Sequence, residues 1–379
     1  MNRFIALRFG LFLVVAMGAG HVARAQDPSR PPLYPPAAPP VTDSTLAPIS
    51  QRVFANPSVL GMGPSKGLIV RYERTPRFGV QSEAQVVGIR SYNGQVDKNA
   101  HLSIKGYIPA WNRPHLKVVV GLSYEREEFK FKGPATTDYE LYRNIENKGL
   151  KSIASQVVVL RPINEVHWFL ARVKGELSGD YNSSTDLTTS DYSRFSAEAV
   201  YGWKRSPNFS WGLGFQYGYT FGRLSLYPAV LYNRTFNDRW GIEALFPARV
   251  TARYNVSESS IFYAGYTVDG YNYIVKLRNE LARIDPNGAP LADKKPLRTL
   301  ELRETEVKFR VRWERELLSF LWLGAEAGYR YNYAFDAFDR TNNDREKIID
   351  SKFNGAPYAG LELFITPPRK LLEKAGVRR

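Results

Sequence analysis

Residues 209–221 alternate strictly between large apolar and small or polar side chains. Every odd position is aromatic or leucine, and every even position is serine, glycine, glutamine or threonine. A period of two over this length predicts a β-strand that is longer than most strands of soluble proteins. One face is bulky and aromatic, whereas the other carries almost no side chain. This contrast is typical of a strand with lipid on one side and a polar interior on the other.

The same alternation recurs along the chain in segments whose second face is charged. These segments are residues 117–127, 169–177, 194–203, 306–314 and 321–332. In a soluble sheet the charges would face water, whereas in a barrel they face the lumen. The features of the amino terminus given below favour the barrel. The sequence therefore predicts an all-β protein, a transmembrane antiparallel up-and-down β-barrel.

The number of strands is predicted from the spacing of these segments. From Gly67 to Thr366 there are about fifteen candidates, and a single-chain bacterial barrel has an even number of strands. The ambiguous pair is 241–246 and 250–256, which are separated by Pro247 and form either two short strands or one strand with a bulge. We expect about 14 strands, within a range of about 12 to 16.

Short and long connections alternate, as outer-membrane barrels require. The short connections, expected at the periplasmic end, are 75–77, 111–114, 162–165, 206–208, 237–239, 257–259 and 317–319. The longer polar connections, expected outside the cell, are 91–98, 132–149, 179–191, 276–299 and 336–354. The spacing of Leu277, Leu281 and Ile284 predicts a short helix at the start of the fourth long connection.

The amino terminus predicts export. A basic start is followed by an apolar stretch and then by Ala23-Arg24-Ala25, so residues 1–25 are predicted to be a cleaved signal peptide. Residues 26–66 form a Pro-rich periplasmic leader, which we interpret as a linker, with a partner-docking peptide or a plug in the barrel mouth as alternatives. The barrel spans residues 67–366, and residues 367–379 form a short basic tail. This organisation predicts the bacterial outer membrane as the location.

Composition supports this interpretation and excludes others. The 23 tyrosines suit the aromatic girdles of a barrel, and the absence of cysteine excludes a lipoprotein anchor and disulfides. The net charge of +15 suggests nucleic-acid binding. However, the basic residues are spread among glutamates in the strands, and the export signal directs the chain away from the nucleoid. No nucleic-acid partner is therefore expected.

The last predicted strand, residues 358–364, ends in apolar residues and resembles the terminal aromatic signature by which outer-membrane barrels are recognised for assembly. The chain resembles bacterial outer-membrane β-barrel proteins, above all their uncharacterised families, in four features. These are the export signal, the alternation of apolar and polar residues, the order of short and long connections, and the terminal strand. The resemblance implies outer-membrane lipid, lipopolysaccharide and the barrel-assembly machinery as partners. The resemblance does not indicate any particular activity.

Enzymatic chemistry is not expected. His101 is the one histidine with the inward phase of a strand, and Ser103 shares its face, but this spacing is too common to indicate a catalytic pair. There are no thiols and no histidines at metal-ligand spacing, so no metal or other cofactor is expected. A barrel enzyme acting on envelope lipid or peptide stays the second alternative.

Charged residues on the inward phase are the best functional candidates. In a wide lumen they line a weakly selective, water-filled pore, whereas in a narrow one they pair and seal it. The pore-lining candidates are Lys308, Arg310, Arg312, Glu304, Glu306, Arg172, Lys174, Glu176, Glu326 and Arg330. We expect a passive, porin-like channel for small hydrophilic solutes. We also expect a mild preference for anions, because Lys308, Arg310 and Arg312 follow one another on one face, opposite no acidic run of equal density. The alternative is a structural or adhesive surface barrel that acts through its extracellular loops.

Overall fold

A computed structural model describes residues 54–132, 139–182, 190–342 and 345–367. Within these ranges the chain forms sixteen β-strands, one α-helix and a 3-10 turn at Ser190–Tyr192. The strands are β1 Leu68–Thr75, β2 Phe78–Ala84, β3 Tyr92–Arg113, β4 Leu116–Lys132, β5 Leu150–Pro162, β6 His167–Gly179, β7 Ser193–Ser206, β8 Phe209–Gly218, β9 Ser225–Thr235, β10 Trp240–Phe246, β11 Arg249–Ser257, β12 Ser260–Leu281, β13 Leu297–Leu318, β14 Leu321–Asp339, β15 Lys347–Phe353 and β16 Ala356–Ile365, and the helix is α1 Glu140–Lys148.

The strands form a closed antiparallel ring with 14 positions. From β3 to β14 each strand pairs with its neighbours in the chain, and β1 closes the ring between β16 and β3. The strands β1 and β2 lie end to end along β3, and together they fill one position of the ring. The strands β15 and β16 share another position in the same way. The predicted all-β barrel of about 14 strands is thus confirmed.

Several predicted connections are wrong. Residues 75–77 are an interruption within one long strand and not a turn, because Pro76 has no N–H to donate to a neighbouring strand. Residues 92–98 belong to β3. The predicted helix near 277–284 is also wrong, because residues up to Leu281 extend β12, whose pairing with β13 runs to Lys276 and resumes at Leu281. The segments around Pro247 are two short strands, β10 and β11.

The outward face of the ring is apolar and exposed. In β8, Leu213 and Phe215 are 48% and 61% exposed, whereas Ser210 and Gly212 on the inward face are buried. Exposed apolar residues occupy the same outward phase in the other strands: Val70, Tyr72, Ile104, Leu122, Ile153, Val157, Val173, Phe309, Val311, Leu361 and Leu363. An unbroken apolar belt around a closed ring is the surface that hydrocarbon requires.

At the end of the ring with the longer connections, which we call the long-loop end, the interior is packed with apolar side chains. Here β12 extends beyond β11 and reaches β6, where Ile274 pairs with Gly179. Nine strands, β12 to β15 and β2 to β6, therefore enclose a narrower space, which we call the apolar chamber. Its core includes Leu141, Tyr142 and Ile145 of α1, all almost completely buried, together with residues of the surrounding strands.

Candidate functional site: the barrel lumen

Below the apolar chamber, ionised side chains from neighbouring strands pair with one another on the inner wall. Arg312 on β13 lies 2.8 Å from Glu314 and 3.4 Å from Glu326, and it also contacts Glu362 on β16. Arg310 lies 3.1 Å from Glu326. The alternation of each strand brings these charges inward, where a buried charge needs a partner. The wall is thus held by shared carboxylates rather than by isolated pairs.

The network continues towards the apolar chamber through Lys308 and Arg330. Lys308 lies 3.2 Å from Glu73 on β1 and 3.4 Å from Glu306. Arg330 lies 2.8 Å from Glu306 and 3.6 Å from Glu127 on β4. These contacts join strands that are far apart in the sequence, because the ring brings the first and last strands together.

Three carboxylates in this region are close enough to share a ligand. Oxygens of Glu127, Glu304 and Glu306 lie within 4.8 Å of one another, and all three side chains are buried. Glu304 accepts a hydrogen bond from Asn332 at 3.1 Å. Because the Arg330 guanidinium contacts both Glu127 and Glu306, it already supplies positive charge to the cluster.

The opposite wall carries fewer charges. Arg172 on β6 lies 2.6 Å from Glu198 on β7, and Lys174 contacts Glu176 on its own strand. Glu176 also accepts a hydrogen bond from Ser152 at 3.2 Å.

All ten predicted lumen residues therefore lie on the inner face of the ring, although their role as pore-lining residues stays a prediction. The expectation that Lys308, Arg310 and Arg312 face no comparable acidic run is wrong. Glu73, Glu306, Glu314, Glu326 and Glu362 pair with these three cations. The sequence-based argument for anion preference is lost with that pairing.

Towards the short connections, which define the short-turn end, the lumen widens into a cavity of about 460 Å³. We call it the lumen cavity. Its lining includes six basic and three acidic side chains: Lys66, Arg71, Lys105, Arg249, Arg310 and Arg312, with Glu243, Glu314 and Glu362. Ser103, Thr251 and Tyr263 add hydroxyl groups. The cavity is therefore strongly polar.

Residues 54–66, here called the mouth segment, cross the short-turn end of the ring. Backbone N–H groups of Ala55 and Leu60 donate to the carbonyls of Asn164 and Pro207 in two of the turns. Inward side chains of the barrel hold its carbonyls: Asn233 donates to Pro57 at 2.8 Å, Thr235 to Leu60 at 2.6 Å and Asn255 to Gly61 at 3.0 Å. The segment is bound by scattered hydrogen bonds, and at its end by the contacts of Lys66 with Glu314 and Glu362, and not as a strand of the sheet.

A tryptophan packs beside the mouth segment. The Trp168 indole is completely buried, and it donates to the Ser210 hydroxyl at 3.0 Å. It lies against Gly202 and Gly212, where an added Cβ would come within 2.1 and 3.0 Å of the ring. The lack of a side chain at these two glycines makes room for Trp168.

Sequence reasoning missed part of the site. Arg71 and Glu73 alternate with Val70 and Tyr72, so the period of two could have identified them. The inward direction of Arg249 could not be predicted, because the segments on either side of Pro247 were either two short strands or one strand with a bulge. Lys66 was assigned to the leader, and no periodic pattern marks it.

The histidines do not form a catalytic group with a serine among the described residues. His101 faces the lumen, 3.9 Å from Glu125 and with its ring against the edge of Tyr271. His167 lies at the short-turn end, where its Nδ1 is 3.1 Å from the Asn164 side-chain oxygen.

The closed ring and the apolar belt define an outer-membrane β-barrel protein. Residues 138–360 match the family described as Domain of unknown function (DUF6268), and the chain belongs to that family. No curated protein matches the sequence. In the described part of the chain, no helix has the length and apolar character needed to cross a membrane.

Solved structures resemble the chain only loosely. A Pseudomonas aeruginosa FadL homologue is 10% identical, with a TM-score of 0.40 over 83% of this chain and 95% of that one. The P. putida toluene transporter TodX is 8% identical, with a TM-score of 0.37 over 83% and 94%. The outer membrane protease OmpT from Escherichia coli is 8% identical, with a TM-score of 0.28 over 82% and 100%. At these scores the likeness assigns no function to this chain.

Proposed function

We propose that the protein is a channel for small hydrophilic solutes, with the described structure as its closed state. The observation that carries this proposal is the polar lumen cavity of about 460 Å³ inside the ring. A barrel whose only task is structural has no need of a space of this size lined by nine charged side chains. Such a space suits hydrated solutes.

The short-turn end is closed by a thin partition. Met62 and Pro64 line the lumen cavity and also a second cavity of about 540 Å³, which lies among the short turns. Because one layer of chain separates the two spaces, displacement of the mouth segment joins them. Its scattered hydrogen bonds make this displacement less costly than removal of a paired strand.

At the long-loop end, α1 is the element that can open the apolar chamber. It belongs to a connection and is not a ring strand, so it can leave without breaking the ring. Passage through the barrel then requires two movements, one of the mouth segment and one of α1.

A disulfide lock tests the proposal. The chain has no cysteine, so Pro57→Cys with Asn233→Cys introduces a single pair of thiols where the mouth segment meets the barrel wall, at the point where the Asn233 side-chain nitrogen lies 2.8 Å from the Pro57 carbonyl oxygen. In planar bilayers we expect conductance steps from the reduced double variant and from the single variant Pro57→Cys. Oxidation should abolish the steps in the double variant alone, and a reductant should restore them. Absence of steps from folded wild-type protein would refute the channel, and steps that persist after oxidation would refute the mouth segment as its gate.

A structural or adhesive surface barrel is the second candidate, because the packed apolar chamber favours it. Buried side chains from nine strands and α1 give the long-loop end a rigid core suited to presenting loops. If the folded wild-type protein shows no conductance, this function is favoured.

We propose no catalytic activity. We further propose that outer-membrane lipid and lipopolysaccharide surround the apolar belt, that the barrel-assembly machinery inserts the chain, and that residues 1–25, which lie outside the described residues, are removed on export.

A further inference from the structure

We infer that the lumen cavity binds a small solute that carries a carboxylate or phosphate group, and that Arg249 is its principal ligand. This inference deepens the proposed function, since it names the class of solute. It begins with an imbalance of charge on the cavity wall, where basic side chains outnumber acidic ones by six to three.

Most of the basic side chains already have carboxylate partners. Lys66 lies 2.6 Å from Glu314 and 2.7 Å from Glu362, and Lys105 lies 2.6 Å from Glu125. Arg71, Arg310 and Arg312 share Glu326. These five cations hold the wall together and have little charge left for a ligand.

Arg249 differs from the other five. Its side chain makes no hydrogen bond or salt bridge with any residue in the described ranges, and it is exposed although it is on the inward face of β11. The charged groups that act on it electrostatically are the carboxylates of Glu243 and Glu198 and the guanidiniums of Arg310 and Arg172. Glu243 contacts Arg253 and Glu198 contacts Arg172, so both carboxylates already have a cation as partner. Among the described residues that line the cavity, Arg249 is therefore the cation without a carboxylate partner of its own.

The position of Arg249 follows from the backbone. It is the first residue of β11, directly after the two-residue connection from β10, and its register partner is Thr267 on β12. Since the backbone at Arg249 is paired with β10 on one side and β12 on the other, its side chain projects into the lumen from a fixed point of the wall.

The cavity also offers hydroxyl groups without protein partners. Ser103 is only 6% exposed, and its Oγ has no hydrogen-bond partner among the described residues. A buried hydroxyl in a polar cavity needs a water molecule or a ligand. A planar guanidinium and a hydroxyl donor are the groups that recognise the oxygens of a carboxylate or phosphate. The volume of about 460 Å³ lies within the usual range for small-ligand sites.

Equilibrium binding to the full chain in detergent tests this inference. The probes are succinate, its uncharged diamide succinamide, and inorganic phosphate, each titrated by calorimetry at constant ionic strength. We expect succinate, phosphate or both to bind, and succinamide not to bind. Binding of succinate alone assigns carboxylates, binding of phosphate alone assigns phosphates, and binding of neither overturns the inference.

Substitution then locates the site. Arg249→Gln should weaken binding about tenfold or more, because it removes a charge-assisted contact. Arg249→Lys should bind more tightly than Arg249→Gln, since it keeps the charge. The control Arg113→Gln removes an exposed cation at the end of β3 and should bind like the wild type. Unchanged affinity in folded Arg249→Gln would overturn the assignment.

Binding and conductance separate the two proposals. If the barrel conducts but binds no oxyanion, the channel stands and this inference fails. If it binds the probes and never conducts, the site stands and the channel fails.

Discussion

The apolar chamber and the lumen cavity occupy the same barrel, yet they are built on different principles. The chamber is closed by nine strands and filled by α1, with aromatic pairs such as Phe335 and Phe353 at 4.2 Å between ring centroids. The cavity lies within the full ring of 14 positions and keeps a space lined by ionised groups. The circumference accounts for the difference, because a narrower ring can be filled by side chains and a wider one cannot. A single sheet thus supports a solid interior at one end and a wet interior at the other.

The largest effect is expected from a cavity made in the chamber. Phe335 is completely buried and contacts both Phe353 and Phe129, so Phe335→Ala should lower the free energy of unfolding by about 3–5 kcal/mol. Denaturant titration in detergent measures this loss. The matched variant Phe309→Ala removes an outward ring that is 55% exposed and should cost much less. Equal losses would mean that the chamber is not packed as a core.

The charged wall is expected to be the next most sensitive region. Arg312→Gln leaves Glu314, Glu326 and Glu362 without one of their partners and should destabilise the barrel by about 3 kcal/mol. Adding Glu362→Gln to this variant should recover part of the loss, because it removes one unpaired carboxylate. Unfolding curves of Arg312→Gln, of Glu362→Gln and of the double variant test the pairing. A loss of stability in the double variant equal to the sum of the losses in the two single variants would contradict it.

Loosening the mouth segment should have a smaller effect. Asn233→Ala and Thr235→Val each remove a hydrogen bond to a mouth-segment carbonyl, which weakens docking by about 1 kcal/mol per bond. Faster hydrogen exchange in residues 54–66, with unchanged exchange in the strands, is the expected readout. Thr251→Val is the control, since Thr251 lines the lumen cavity and makes no side-chain hydrogen bond to the mouth segment among the described residues. Unchanged exchange in a variant that combines Asn233→Ala with Thr235→Val would show that other contacts hold the segment.

The smallest effect concerns the hydroxyl of Tyr142 on α1. This hydroxyl donates to Ser351 at 3.1 Å and also contacts Ser82, so Tyr142→Phe should cost about 1 kcal/mol. Burial raises the pKa of Tyr142 above its ordinary value of 10. The stability due to the neutral hydroxyl is therefore complete below pH 10 and is lost as the pH rises further towards the folded-state pKa.

Thermal unfolding across this pH range measures the difference. The stability advantage of the wild type over Tyr142→Phe should shrink above pH 10. A constant advantage at all pH values would mean that the hydroxyl does not ionise on unfolding.

The ring of strands was predictable from the sequence, whereas the side-chain contacts inside the ring were not. Alternation places Leu213 outward and Glu326 inward without knowledge of any partner, because a strand has a period of two. The pairing of Lys308 with Glu73 joins β13 to β1, and no local pattern encodes which distant strand closes the ring. The same holds for Leu277, whose spacing suits a helix but whose burial in the chamber and pairing along β12 decide for a strand.

The strands that close the ring have a consequence for insertion into the membrane. Along β1 and β16, Val70 and Tyr72 face outward beside Leu361 and Leu363, while Arg71 and Glu362 face inward. A slip of one residue in this register would turn the ionised pair into hydrocarbon and the apolar residues into the lumen. The register of this seam is therefore specified on both of its faces, because only the observed alignment keeps the two charges out of hydrocarbon.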